Sequence, residues 1–448
     1  MKLEGFKENT KKKIIVISFT VLCLLLIAGV YLYTSYAFYE ETKNFNVING
    51  TVEDPGDLYF AYYVDGKISR TMPSKNIGYT LDTTKSSCDN GVTVDWDYSK
   101  WKANIYYENY SATDKTRTKC TLFFNKTAKT VKTALGNIEV NSYKPDLTKS
   151  ACDTSNCESH EKGIFETTDA DGTSYYYRGA VENNYLKFAG YFWRVVRING
   201  NGSIRIIYDG TSAHANGESS ADRQYGTSQF NTSAGNNMYV GYMYTSGEAH
   251  GTGTSSAIKT NADKFYTDKL SSYASKLDTN AGFCGDRSNL NQQSGVGTGT
   301  VITYNKGYLR VVESAPTLTC ENASDYYTVA SASSGNKKLS YPIGLITADE
   351  MMLAGHAGGV FDGFYNHMKT NNGSYLVTGN TFWTMTPAGG YNPFGNAYWF
   401  AFVFYVNSSG TLDDPGTGGT YGLRPVVNLK SGVTITGSGT KTNPYVVS

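Results

Sequence analysis

The sequence predicts an apolar N-terminal helix followed by a small all-β, sandwich-like domain and a larger α+β domain. Three observations lead there. Residues Ile14 to Tyr33 form an uncharged, apolar stretch directly after Lys11, Lys12 and Lys13. Six of the seven cysteines lie beyond that stretch, an even number suited to disulfides. The remainder reads as many short alternating runs broken by Gly, Asn, Ser and Asp, with few helical patterns.

About 20 apolar residues cross a bilayer as a helix, and the basic flank places the start of the chain on the cytoplasmic side. Residues 1–37 are therefore read as a cytoplasmic tail and transmembrane anchor, with Tyr31, Tyr33 and Tyr36 at the outer interface. The competing reading is a cleaved signal peptide, because Ser35-Tyr36-Ala37 is small-x-small. The length of the apolar run favours the retained anchor. The bulk of the chain is then extracellular.

The rest of the composition agrees. Of 448 residues only 18% are charged, while Gly (47) and Tyr (37) are abundant, which suits a polar but sparsely charged exported surface. The net charge of +1 and the scattered basic residues give no stripe for nucleic acid. The simplest cysteine pairing is sequential: Cys88 with Cys120, Cys152 with Cys157, and Cys284 with Cys320, one of 15 connectivities open to six cysteines. No CxxC or Cys/His cluster supports a zinc site.

Residues 38–126 form the small β domain. "DLYFAYYVDGKISRTMP" turns at Asp65-Gly66, a hairpin signal, and further strands follow in "VTVDWDYSKWKANIYYENY" and "TKCTLFF". Residues 127–163 are polar with little periodicity and read as a linker with one short helix. Residues 164–448 carry hairpins and two helix candidates. One is "NADKFYTDKLSSYASKLD". The other is "LITADEMMLAG", where Thr347 and Glu350 form a capping box ahead of an apolar run.

Several stretches of this larger domain, "GTSYYYRGAVENNYLKFAGYFWRVVRINGNGSIRIIYDG", "FCGDRS", "YPIGLITADEMMLAG", "FWTMTP" and "YGLRPVVNLKSGVTITGSGTKTNPYVV", resemble a domain of unassigned activity in anchored surface proteins of Gram-positive-lineage bacteria. They cover roughly Gly172 to Val447. The segment before them is similar to the small β domain that often precedes it. The "GLRPVVNL" ending is more distantly similar to the C-type-lectin-like fold shared with formylglycine-generating-enzyme-like proteins. The resemblance implies a C-type-lectin-like α+β fold and a surface location. It implies no activity.

None of the five histidines sits in a nucleophile or zinc-protease motif, and His356, after the capped helix, reads as a surface or packed histidine near a helix end, with a general base as the alternative. Copper-type oxidation would need Cys284 and Cys320 as free thiols, and a structural disulfide is the better account. Calcium is the one metal left open, since oxygen ligands suit it. Asp286, Asn289 and Asn291 form one weak candidate loop, and Asp413 with Asp414 another. No other cofactor is expected.

Aromatic residues give the candidate ligand contacts. "NAYWFAFVFYV" alternates with both faces apolar, as in a covered central strand. The preceding loop holds Tyr391, Asn392 and Phe394, with Trp399 at the strand entrance, residue types suited to carbohydrate or protein contact. In "YFWRVVRINGNGSIRIIYDG", Arg194, Arg197 and Arg205 sit on a hairpin otherwise built for burial. A scaffold with arginines at its margins, paired to Asp209 or Glu182, is the leading reading. Recruitment of Arg194 or Arg197 to an anionic ligand is the alternative.

The sequence thus points to a membrane-anchored surface protein that binds a glycan or a protein through loops of its C-terminal domain. An extracellular enzyme acting from the same face, by oxidation or amide chemistry, and a passive structural protein are the alternatives.

Overall fold

The computed structural model describes residues 58–73, 79–97, 100–110, 118–126, 128–148, 150–151, 161–290, 303–330, 335–356, 373–391 and 400–448. The described chain is mostly β-sheet with few helices. No helix among the described residues is long and apolar enough to cross a membrane. The apolar stretch from Ile14 to Tyr33 lies outside those residues.

Two compact units divide at about Asn125. In the smaller one, strand β1 (Leu58–Val64) turns at Asp65-Gly66 into β2 (Lys67–Ser69), as the hairpin signal predicts. Asp65 and Gly66 both take positive φ (50° and 76°), the backbone such a tight turn requires. Strands β3 (Tyr79–Leu81) and β4 (Ser87–Cys88) follow, then the hairpin β5 (Thr93–Asp97) and β6 (Lys102–Tyr106). Strand β7 (Thr118–Lys126) runs parallel to β1 and antiparallel to β4. Leu81, Trp96, Leu122 and Phe124 form the core. Cys88 faces Cys120 across the β4–β7 pair and bonds to it, matching the sequential pairing.

The larger unit runs from Lys126 to Ser448. Its first element corrects the linker reading of residues 127–163. Strand β8 (Ala128–Thr133) and strand β9 (Gly136–Asn141) form an antiparallel hairpin rather than a helix. The reason is local: "LGNIEV" alternates, so Leu135, Ile138 and Val140 are buried while Asn137 and Glu139 stay exposed. The polar residues between them mask that period in composition. Cys152, Cys157 and His160 lie outside the described residues.

The main sheet follows. Strand β10 (Gly163–Asp169) pairs β11 (Gly172–Arg178), which pairs β13 (Tyr191–Ile198). Strand β12 (Tyr185–Phe188) pairs the first half of β13 on the same edge as β11, and it runs parallel to Tyr445–Val447. Strand β14 (Ile204–Gly210) pairs both β13 and Val426–Leu429. Every residue of β14 is buried, with its apolar members covered on both faces. A second sheet is built around Phe382–Tyr391 and Phe400–Val406. Ala401, Val403, Phe404 and Val406 are buried there, as a covered central strand predicts.

Helices are few. The first helical candidate begins as α1 (Ala257–Phe265) and continues through a wider turn, Tyr266–Leu270, and a tighter one, Ser271–Lys276. Helix α2 (Lys306–Glu313) is followed by α3 (Ala348–Leu353). The capping box forms as predicted: the Glu350 N–H donates to Thr347 Oγ1 at 3.0 Å, and the Thr347 N–H donates to Glu350 Oε2 at 3.0 Å.

Candidate functional site

The arginines of the β13–β14 hairpin are not marginal. Arg194 and Arg205 are almost fully buried and Arg197 is 7% exposed. Neither Asp209 nor Glu182 pairs them. Arg194 donates from Nε to Asn184 Oδ1 (2.8 Å), and from its two Nη atoms to Asn216 Oδ1 (2.9 Å) and the Val181 carbonyl (2.8 Å). Its guanidinium also lies 3.8 Å from the centre of the Tyr185 ring. All three nitrogens thus engage protein partners at a buried position. Asp209 serves other arginines, accepting at Oδ1 from Arg223 and Arg424, both at 2.9 Å.

Arg197 and Arg205 meet at Glu350. Arg197 Nε donates to Glu350 Oε1 at 2.9 Å and a second nitrogen donates to Asp169 Oδ2 at 2.9 Å. Arg205 Nε is 2.5 Å from the same Glu350 oxygen. Burial alone would raise the Glu350 carboxyl, but Arg205 and Arg197 outweigh it and hold the group below its ordinary value. The Glu350 that caps α3 is therefore also the counter-ion of the hairpin. Beside it, Arg310 donates to Asp349 (2.7 Å) and to Asp286 (3.0 Å).

These groups surround a cavity of about 20 Å³, next to the Cys284–Cys320 disulfide. That is room for about one water molecule and no substrate. The cavity is therefore a charged structural centre, with desolvation offset by paired opposite charges. The disulfide again matches the sequential pairing, and it consumes the two thiols that oxidation chemistry would need.

The calcium candidates separate. The Asp286 carboxylate accepts from Arg310 and from the Ser288 N–H. Asn289 pairs its backbone with Asn305. Asp413 accepts from Tyr405 Oη at 3.2 Å and from the Asp414 N–H at 2.9 Å. Asn291 is outside the described residues. Among the described residues, no three His, Cys, Asp or Glu side chains gather as a metal site. Of the contact loop, only the backbone of Tyr391 is described, as the end of Phe382–Tyr391. Asn392, Phe394 and Trp399 lie outside the described residues.

One constellation escaped sequence reading. Ser212 Oγ lies 3.3 Å from His214 Nε2, and His214 Nδ1 lies 2.9 Å from Glu218 Oε1, the order of a serine–histidine–carboxylate relay. Asp222 Oδ1, however, is nearer to Nε2, at 2.8 Å. A carboxylate stands at each ring nitrogen, and the one at Nε2 lies closer than the serine. Asp222 also accepts from the Thr211 N–H (2.8 Å) and from Ser220 (2.5 Å). The cluster fastens the loop after β14. His356 is equally unsuited to acid–base work. It is buried, it bonds the Gly410 carbonyl through Nδ1 at 2.6 Å, and burial holds its pKa down at about 4.

A second concavity has the dimensions of a binding site. It measures about 460 Å³ and is lined by Asn137, Ile138, Glu139, Val140 and Asn141 of β9, by Lys162, Gly163 and Ile164, and by Tyr177, Asn183 and Tyr445. Asn141 Nδ2 donates to the Ile164 carbonyl at 3.2 Å. Gly163 has φ +140°, and a Cβ there would sit 2.6 Å from Asn141 Nδ2, so this wall of the cleft requires glycine. Amides, one acid and one amine thus rim the site over tyrosine. Sequence reading missed it because its main wall lies in the span taken as a linker.

The chain matches no family profile, no curated protein and no solved structure.

Proposed function

We propose that the chain is a membrane-anchored extracellular binding protein that recognises a surface glycan or a protein through its larger, C-type-lectin-like domain. The observation that carries this reading is the 460 Å³ cleft rimmed by Asn137, Asn141 and Asn183. Amides offer donors and acceptors without committing to charge, which suits recognition rather than turnover. The acid–base groups described above are meanwhile engaged with protein partners. The two disulfides support an oxidising, extracellular location, with the segment from Ile14 to Tyr33 as the anchor.

The test is a glycan array and a bacterial surface-protein array, probed with the full chain in detergent, with and without calcium. Saturable binding that weakens about tenfold in Asn137→Ala with Asn183→Ala, at unchanged thermal stability, is the expected result. A folded protein without a hit on either array supports the passive structural alternative instead. The oxidative alternative requires that iodoacetamide label Cys284 and Cys320 in the native chain.

A further inference from the structure

Five consecutive residues of β9, Asn137 to Asn141, line the cleft. Side chains of a strand alternate between its two faces, so a cavity touching all five abuts the strand's edge rather than a face. The pairing register says which backbone groups that edge presents. Thr133 and Gly136 close a two-residue turn and are a hydrogen-bonded pair, so Val131–Ile138 and Lys129–Val140 are hydrogen-bonded pairs as well. The intervening residues, Asn137, Glu139 and Asn141, turn their N–H and C=O groups away from β8. Among the described pairings β9 has no second partner strand.

Strand β10 offers the same kind of edge. Asp169 and Gly172 close its turn with β11, which leaves the Ile164 backbone groups directed away from β11. Its carbonyl receives the Asn141 side chain. The cleft is therefore bordered by main-chain groups in the alternate spacing of a strand that lacks its neighbour.

We propose that this cleft binds an extended peptide segment of a partner protein, which adds as a strand to the open edge of β9. This rests on the reading of the cleft as a binding site and goes further by assigning the ligand. A saccharide would need exposed ring faces, and Tyr177 (1% exposed) and Tyr445 (9%) offer very little. Main-chain hydrogen bonds would supply the affinity of an added strand, and Glu139 and Lys162, both exposed at the cleft, would select its alternate side chains by charge.

The experiment selects binders to the full chain in detergent from a linear random peptide library displayed on phage, with a glycan array run in parallel. Selected peptides are then tested against Glu139→Pro and Glu139→Ala. Proline removes the outward N–H without removing a bond to β8. Affinity should fall about tenfold or more in Glu139→Pro and change little in Glu139→Ala. On the wild-type chain, bound peptide should slow amide exchange at Asn137, Glu139 and Asn141 and leave Ile138 and Val140, already bonded to β8, unchanged. That readout holds even if the proline variant does not fold. Failure to select any peptide, peptides that bind without the alternate-residue protection, or a glycan that occupies the cleft would each overturn strand addition. The glycan result alone would leave the proposed binding function standing.

Discussion

Replacing Glu350 with Gln tests the charged centre of the larger unit. Glutamine keeps an oxygen for the Thr347 N–H, so the capping bond survives while the charge is lost. Arg197 retains Asp169. Arg205 retains no carboxylate, only the Gly282 and Leu345 carbonyls (3.1 and 3.4 Å) and the Asn428 side chain at 3.5 Å. A charge pair at 4 Å is worth about 4 kcal/mol at an effective dielectric near 20. Breaking a buried pair from one side costs about 3–5 kcal/mol, because the remaining ion stays desolvated. Glu350→Gln should therefore destabilise the larger unit by about 3–5 kcal/mol in urea unfolding followed by tryptophan fluorescence, with Trp193 and Trp383 fully buried as reporters. Adding Arg205→Met should restore part of the loss, since it removes the orphaned charge. The wild-type group is held below its ordinary value, so its contribution is present at neutral pH and is lost as pH falls through the carboxylate range. The variant should lack that component. A loss under about 1 kcal/mol, or a double variant worse than the sum of the singles, would refute the assignment of Glu350 as counter-ion.

Three other outcomes follow. Removing the Cys284–Cys320 disulfide, which spans a sequence separation of 36, should cost about 4 kcal/mol by loop entropy, read as a shift in urea midpoint; no shift would mean the bond is not formed in the native protein. Because the pKa of His356 is about 4, against an ordinary value of 6.5, its ring should show no NMR titration between pH 5 and 8. Its depressed pKa makes stability fall as pH drops below 6.5, by about 3 kcal/mol near pH 4, and a ring titrating near 6.5 would contradict its burial. Thr347→Ala should cost about 1 kcal/mol through loss of the cap, and a neutral effect would mean that α3 is positioned by packing alone.

Local signals in the sequence carried well. Asp65-Gly66 specified a hairpin because the turn needs positive φ, and Thr347 with Glu350 specified a helix start because both donors are satisfied within four residues. Both sequential cysteine pairs that lie among the described residues form. The interior electrostatics were not legible. Alternation placed Arg194 and Arg197 on a hairpin but could not supply their partners. Glu350 is 153 positions beyond Arg197, and Asn184 and Asn216 are neutral residues with no charge to pair. The heads were therefore expected at the margins, against Asp209 or Glu182, when they are enclosed among other partners. The cleft was hidden for a related reason. Its walls come from β9, from Lys162 to Ile164 and from Tyr445, which no short window of sequence brings together.

The central strands of the main sheet are stitched to distant chain. Ile204 lies opposite Leu429, and Leu186 opposite Tyr445, separations of 225 (429 − 204) and 259 (445 − 186) positions. Until that downstream segment has left the ribosome, β14 and β12 each lack a neighbour, and two hydrophobic ribbons stand open to mispairing. Closure of the main sheet therefore waits on those downstream segments, and the edges of β12 and β14 are where premature pairing would begin.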